Sequence, residues 1–355
     1  MLIKNALYKK DVDSILCSQF IEWKNLQNKT VLITGATGLI GSLVTVTLLA
    51  ANNRLGLNCH VVAAVRNKSK AEELFGESEC LELYERDIRE PIAYAKRRVD
   101  YIVHAASCTD SRSFVLCPVE TIETTLKGTI NVLEFAKLHS TIKTVFLSTM
   151  EVYGTPLNDE RIDENHSTNL CTTDVRSCYP ISKRMSEQLF ASYSAEYGIN
   201  GAALRLTQTF GPGVAYNDGR VFADFARCII EQRDIVLHTE GLTKRMYLYT
   251  ADAVSAILHI MLMQNDGNGS FDVFNTANES TYCSIKEMAD EFRILGGKDI
   301  AVKIEIEDVS KYGYAPTLHM NLDTSKLKKT GWNPKYEFHY MITNLIEYMR
   351  EIKSK

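Results

Sequence analysis

The sequence predicts an α/β protein, a doubly wound parallel sheet followed by a smaller C-terminal lobe. Three observations carry this. Short β-branched apolar runs alternate with longer helix-like segments between residues 30 and 210, the signature of βαβ units. Gly35, Gly38 and Gly41 stand at G-x-x-G-x-x-G spacing between the first run and the first of these helices. Beyond residue 211 the alternation weakens into turn-rich loops such as GPGVAYNDGR.

Residues from about 8 to 28 read as an amphipathic helix, so 1–29 is expected to be a helical extension ahead of the sheet. VLIT (31–34) is the first strand and IGSLVTVTLLAANN the helix after it. HVVAAV (60–65) is the second strand and SKAEELF a short helix. LELYERDI (81–88) and YIVHAAS (101–107) are the third and fourth strands. VETIETTLKGTINVLEFAKLH is a long helix, and KTVFLST (143–149) is the fifth strand. SKRMSEQLFASYSAEYG is a helix stopped by Gly198, and GAALRLTQTFG is the sixth strand. Residues 30–210 therefore form the sheet domain. Residues 211–355 form the smaller lobe, with a helix at 221–233, a short strand pair and a helix at DAVSAILHIMLM. Some segments of this lobe are free to return to the first domain.

The chain has 355 residues, enough for sizeable cores, with 45% hydrophobic and 24% charged residues, as in ordinary globular proteins. A formal net charge of −4 argues against nucleic acid or an anionic membrane as the main partner. The clusters Lys96–Arg98 and Lys326–Lys329 read as solvated faces. Nine cysteines occur without a C-x-x-C pair or zinc-ligand spacing. They fit buried thiols in a reducing compartment, so no metal is expected and the location is expected to be cytoplasmic. Val31–Ala51 is uncharged and long enough to span a bilayer. Its three early glycines and its change of pattern favour strand, turn and helix instead.

The glycine triplet supplies what a pyrophosphate needs. Glycine permits a positive φ and close backbone approach, and the new helix presents N–H groups at its positive end. A dinucleotide is therefore expected over Gly35, Thr37, Gly38, Leu39, Ile40 and Gly41. The end of the second strand usually carries an acid for the ribose of NAD. Arg66 stands there, and a guanidinium suits a 2′-phosphate, so the cofactor is NAD or NADP with a lean toward NADP. Asp87 and Ile88, at the end of the third strand, are expected to border the adenine, with a turn role for the acid as the alternative.

Tyr179 and Lys183 lie four apart, on one face of a helix. An ammonium near a phenol favours the phenolate. The pair reads as a base for a hydroxyl proton, and Pro180 fits the first turn.

TGATGLIG, HAAS (104–107), S-T-x-E-V-Y-G, Y-x-x-x-K and LRLTQTFGPG together resemble the extended short-chain dehydrogenase/reductase superfamily. More narrowly they resemble the NAD-dependent epimerase/dehydratase family, which acts on nucleotide-sugars. The resemblance runs from about residue 30 to 275 and implies a Rossmann-type sheet. It implies that Thr149 hydrogen-bonds the reacting hydroxyl, that Tyr179 is the base, and that Lys183 holds the nicotinamide ribose. Ala105, Ala106 and Ser107 would line the cofactor. The first step it implies is oxidation at the sugar's C4.

Glu151 then becomes informative. The family's 4,6-dehydratases carry an adjacent Asp–Glu pair, and here the pair is Met150 and Glu151. A thioether cannot donate a proton, so dehydration is disfavoured. UDP-glucuronate decarboxylases keep the Glu without the Asp, and RSCY…KR (176–184) and NDGRVFADF (217–225) are similar to that subgroup. That subgroup's acidic, glycine-containing insert between Tyr and Lys is replaced here by Pro180, Ile181 and Ser182. A 4-epimerase needs only the Thr and the Tyr–Lys pair. Glu151 is expected either to handle a proton at C5 or to pair with a loop.

On the substrate side, Gln208 replaces the family's usual Asn, and Phe210 its usual Tyr. Arg220 and Arg245 match positions that face the nucleotide phosphates. Tyr247 and Asp252 are expected to support a loop and cap a helix. The reading is an NAD(P)-dependent nucleotide-sugar epimerase or decarboxylase working through a C4-keto intermediate. An NADPH-dependent keto-sugar reductase is the alternative, followed by a 4,6-dehydratase or a non-catalytic dinucleotide-binding protein. The resemblance also implies a homodimer, joined through helices near 118–139 and 181–197.

Overall fold

The computed structural model describes residues 2–354 except 167–168, 265–266, 268, 298 and 308–316. The elements are α1 (Ala6–Leu16), β1 (Thr30–Thr34), α2 (Leu39–Leu55), β2 (His60–Val65), α3 (Lys68–Phe75), β3 (Leu81–Glu85) and β4 (Tyr101–His104). Then come α4 (Ser111–Leu116), α5 (Pro118–His139), β5 (Lys143–Thr149), α6 (Cys178–Tyr197), β6 (Gly201–Leu206), β7 (Gln208–Phe210) and α7 (Val221–Glu231). The chain continues with β8 (Ile235–Leu237), β9 (Lys244–Tyr249), α8 (Thr250–Leu262), β10 (Phe271–Thr276), β11 (Asn278–Ser284) and α9 (Ile285–Gly296). It ends with β12 (Val302–Ile304), β13 (His319–Met320), α10 (Ser325–Lys329) and α11 (Phe338–Lys353).

β1 to β6 and β10 form a seven-stranded sheet in the order β10-β6-β5-β4-β1-β2-β3, every pair parallel. β1, β4 and β5 are buried on both faces, which explains their unbroken apolar runs. The strand order reverses between β1 and β4. In such sheets that reversal opens a crevice at the strands' carboxyl ends, and ligands bind there.

The second sheet contains β11, β9 and β13, with β7 also paired to β9. GAALRLTQTFG is thus two strands rather than one. The Thr207 hydroxyl donates to the Met246 carbonyl at the break, and Gln208 onward follows β9 into the second sheet. The expected short strand pair is also different: β8 pairs with β12, and β9 with β7, β11 and β13.

α8, expected with the smaller lobe, packs instead on the main sheet, against α2, α1 and β5. It is buried along its whole length, as a helix apolar on all sides must be. The expected 8–28 helix ends at Leu16, and a 3-10 turn occupies Trp23–Leu26. Contacts with α8 win over local periodicity there. The Phe20 carbonyl lies 2.7 Å from His259 Nδ1, and Asn25 donates to the Leu262 carbonyl at 2.9 Å. Val31–Ala51 forms strand, turn and helix, and no helix among the described residues is long and apolar enough to cross a membrane.

Candidate active site

The glycine turn lies in the crevice between β1 and β4. Gly35 has φ +66°, and a Cβ there would stand 2.8 Å from the Ala106 Cα. A Cβ at Gly41 would fall on the Gly35 carbonyl oxygen. Any side chain at either position would therefore collide with the backbone of the turn or of the wall that faces it. Gly38 is the extended N-cap of α2, and no side chain caps that helix start. Thr37, Leu39 and Ile40 are half-buried around it. Ala105 and Ala106 form the facing wall, with their N–H groups bonded to the Thr34 carbonyl and hydroxyl, both at 3.2 Å. The Ser107 hydroxyl turns to the Cys108 carbonyl.

Arg66 is exposed at the end of β2. Asp87 is bound by Arg89, at 2.7 Å through Nη2, which together with the Arg66 charge pulls its carboxyl down to about 2. Ile88 is buried, and its carbonyl accepts from Asn131 at 2.8 Å. Beneath the crevice, His104 lies 2.8 Å from the Thr34 hydroxyl and 3.4 Å from that of Thr129, which is 2.9 Å from Ser186. Burial pushes this imidazole down to about 3, so it stays neutral and ties β1 and β4 to α5 and α6.

Thr149 ends β5, and Tyr179 and Lys183 project from the first turns of α6. The Thr149 hydroxyl accepts from the Glu151 N–H at 3.2 Å and lies near enough to the Tyr179 phenol to favour its ionised form. The Lys183 ammonium donates to the Leu147 carbonyl at 2.7 Å and lies 5.9 Å from the Tyr179 ring centre. The three groups expected to work together are thus gathered at one strand end. Their electrostatics differ from the sequence expectation. Burial, and then the Glu151 charge, push the phenol above its usual pKa. Burial pushes Lys183 down to about 7, and its ammonium is spent on a backbone carbonyl rather than on the phenol.

Glu151 is held by Arg176 in a two-pronged ion pair, 2.7 Å from Nη1 to Oε2 and 3.3 Å from Nη2 to Oε1. Phe114, from α4, stacks on Tyr179 with centroids 4.3 Å apart, and the Arg176 guanidinium lies 5.5 Å from the Phe114 ring centre. Met150 is buried among Val152, Tyr153, Met246 and Met320, so its thioether belongs to a small apolar core.

Gln208 and Arg245 are brought to one face of the second sheet. Gln208 pairs with Tyr247, and Arg245 lies two residues before Tyr247 on β9. Gln208 Oε1, Arg245 Nε and the Tyr247 hydroxyl are all buried without a hydrogen-bond partner. Three orphaned polar atoms on one face suit a polar ligand. Arg220 instead turns to Asp218, with Nε–Oδ1 2.9 Å and Nη2–Oδ2 2.6 Å. Asp252 accepts the Lys335 and Tyr336 N–H groups, so it pins a distant loop rather than capping its own helix.

Residues 31–277 match the model of the NAD dependent epimerase/dehydratase family. The chain belongs to that family. Among its relatives, UDP-glucuronic acid decarboxylase 3 of Arabidopsis thaliana is 31% identical over 312 residues, covering 87% of this chain and 85% of that one. UDP-glucuronic acid decarboxylase 1 of Xenopus tropicalis is 28% identical, covering 91% and 72%. The Thermotoga maritima UDP-glucose 4-epimerase, solved with UDP-glucose, superposes with a TM-score of 0.76 at 22% identity, over 91% and 99% of the two chains. The Streptomyces venezuelae dTDP-glucose 4,6-dehydratase, solved with NAD, gives 0.76 at 20%, over 92% and 98%. These superpositions establish the family's Rossmann-type fold for this enzyme.

Within this family site, sequence reasoning missed Arg176, Phe114 and His104. Arg176 was within reach: it opens the RSCY stretch, three residues before the tyrosine, and a carboxylate at the end of a buried strand calls for a cation. Phe114 had no local signal, because only the tertiary fold lays α4 over α6.

Proposed function

We propose that this enzyme binds NAD and decarboxylates a nucleotide-activated uronic acid through a C4-keto intermediate. The observation that carries the reading is the gathering of Thr149, Tyr179 and Lys183 at one strand end beside an Arg176-clamped Glu151, with an apolar Met150 where a dehydratase needs an acid. Decarboxylases among the nearer relatives support the choice of reaction.

The glycine turn fits a dinucleotide, since glycine at 35 and 41 lets it pack tightly on itself and on Ala106 and no side chain caps the start of α2, whose N–H groups suit a pyrophosphate. Gly35 to Gly41, Ala105 to Ser107, Asp87 and Ile88 would hold NAD, with Lys183 on its ribose. When bound, NAD supplies the reversible oxidation at C4. Tyr179 takes the C4 hydroxyl proton and later returns it, and Thr149 fixes that hydroxyl by a hydrogen bond. With C4 at the ketone level, a C6 carboxylate is a β-keto acid. CO2 leaves, and the C5–C6 electron pair passes into the enolate. Glu151 stands to govern the proton that then returns to C5. Gln208 and Arg245 offer their unpaired polar atoms to the nucleotide's diphosphate, with Arg220 released from Asp218 as a further cation.

A 4-epimerase is the second reading, favoured by the absence of an acidic insert between Tyr179 and Lys183. Incubation with UDP-, dTDP-, GDP- and CDP-sugars, uronates included, separates the readings by product mass. Loss of CO2 from a uronate is expected; unchanged mass means epimerisation, and a gain of two hydrogens with NADPH consumed means reduction. Tyr179→Phe is expected to cut turnover by at least ~100-fold. Titrating NADP beside NAD tests Arg66, which lies exposed for a 2′-phosphate. We also propose a homodimer through α5 and α6, whose exposed Ile122, Ile130 and Met185 suit such a contact, to be checked by light scattering.

A further inference from the structure

The family match begins at residue 31, so α1 lies outside it. Tyr8, Asp11, Val12 and Ile15 nevertheless form a buried stripe along α1. The Asn5 side chain caps the helix by accepting from the Tyr8 N–H at 3.0 Å. Tyr8 is wholly buried, and its hydroxyl lies 3.1 Å from the Ser42 Oγ. Ser42 follows Gly41, in the first turns of α2, and its own hydroxyl donates to the Leu39 carbonyl at 3.2 Å. The Tyr8 O–H is therefore the donor into Ser42. The Tyr8 ring also meets the loop after β7: a Cβ at Gly213 would stand 3.4 Å from Tyr8 Cε2 and 3.1 Å from Leu39 Cδ1. Tyr8 thus touches both the helix that leaves the glycine turn and the loop beside it.

The far side of α1 is fixed to the C-terminal region. Asn5 donates to Glu351 at 2.6 Å, and Ser14 accepts from the Tyr336 hydroxyl at 2.6 Å and from Lys335 at 2.9 Å. A segment that served only to cover apolar surface would not require a wholly buried hydroxyl aimed at the cofactor helix. Burying one is costly without its partner, and the partner is the first turn of α2.

We propose that α1 braces the cofactor turn and that Tyr8 is a positioning residue for cofactor binding, acting through Ser42 and Leu39. The inference rests on the reading of the glycine turn as the NAD site. It makes cofactor affinity depend on an element that the family match does not include.

The test is calorimetric titration of NAD into the full chain, with thermal unfolding of the cofactor-free protein alongside. Tyr8→Phe, which keeps the ring and loses one hydrogen bond, is expected to weaken NAD binding about three- to tenfold. Ser42→Ala is expected to weaken it similarly, and the double variant no further than either alone. If Tyr8→Phe lowers the unfolding temperature but leaves the NAD Kd unchanged, Tyr8 is only structural and the inference fails. Additive losses in the double variant overturn the route through Ser42. A wild-type chain that binds neither NAD nor NADP overturns the cofactor reading and this inference with it. Binding that is insensitive to both substitutions overturns the inference alone.

Discussion

Two buried polar regions flank the site, and they handle charge in opposite ways. Behind Lys183, Glu187 accepts from Ser148 at 2.5 Å and from Arg205 at 3.0 and 2.7 Å. Arg205 goes on to the Tyr153 hydroxyl and the Glu164 carbonyl. Burial opposes the Arg205 charge, but Glu187 outweighs it and holds its pKa above the usual arginine range. Under α1, Asp11 is 1% exposed beside Tyr249, with no ion pair among the described residues and one carboxylate oxygen unpartnered. Burial, reinforced by nearby Asp252, pushes its carboxyl up to about 7. Burial penalises both regions. A partner of opposite charge decides whether the charge survives or a proton is taken up.

Breaking the satisfied region should cost most. Arg205→Met leaves Glu187 buried without its cation, and a loss of about 3–5 kcal/mol is expected in urea unfolding. A loss below ~1 kcal/mol would mean that solvent reaches the pair and that the contrast is false. The second region should respond in the other direction. Asp11 keeps its proton in the fold up to about pH 7, whereas the unfolded chain releases it near 3.8, the ordinary value for this side chain. Its contribution is favourable below that lower value and is lost as pH rises through this window. Asp11→Asn should therefore stabilise the protein by roughly 1–3 kcal/mol at pH 8, with the gain shrinking toward pH 4. Thermal unfolding across that range checks the sign. At the surface the contrast should vanish. Arg161 pairs with Glu279 with half of its side chain exposed, and Arg161→Ala is expected to cost less than ~1 kcal/mol, falling further with added salt.

The same distinction explains what could be read in advance. Gly35, Gly38 and Gly41 were legible because a tight turn and a close backbone approach restrict the residue type at each position. Tyr179 and Lys183 were legible because helical spacing alone puts them on one face. The pairing of Glu151 with Arg176, 25 residues apart, depends on how the loop after β5 returns to α6. The lowering of Lys183 to about 7 depends on its burial depth, which no spacing reveals. The Glu187–Arg205 pair, 18 residues apart, joins α6 to β6 in the same way.

Local patterns along the chain were enough for the parallel sheet, the order of its first six strands along the chain, the glycine turn and the Thr–Tyr–Lys set. Each of these rests on local periodicity or on backbone freedom at single positions. That β10 closes the sheet's edge, that α8 and α1 lie behind the glycine turn, and which buried charges find partners emerge only when the chain is folded. Those outcomes follow from contacts between distant segments, where desolvation and pairing compete and neither is written in the neighbouring residues.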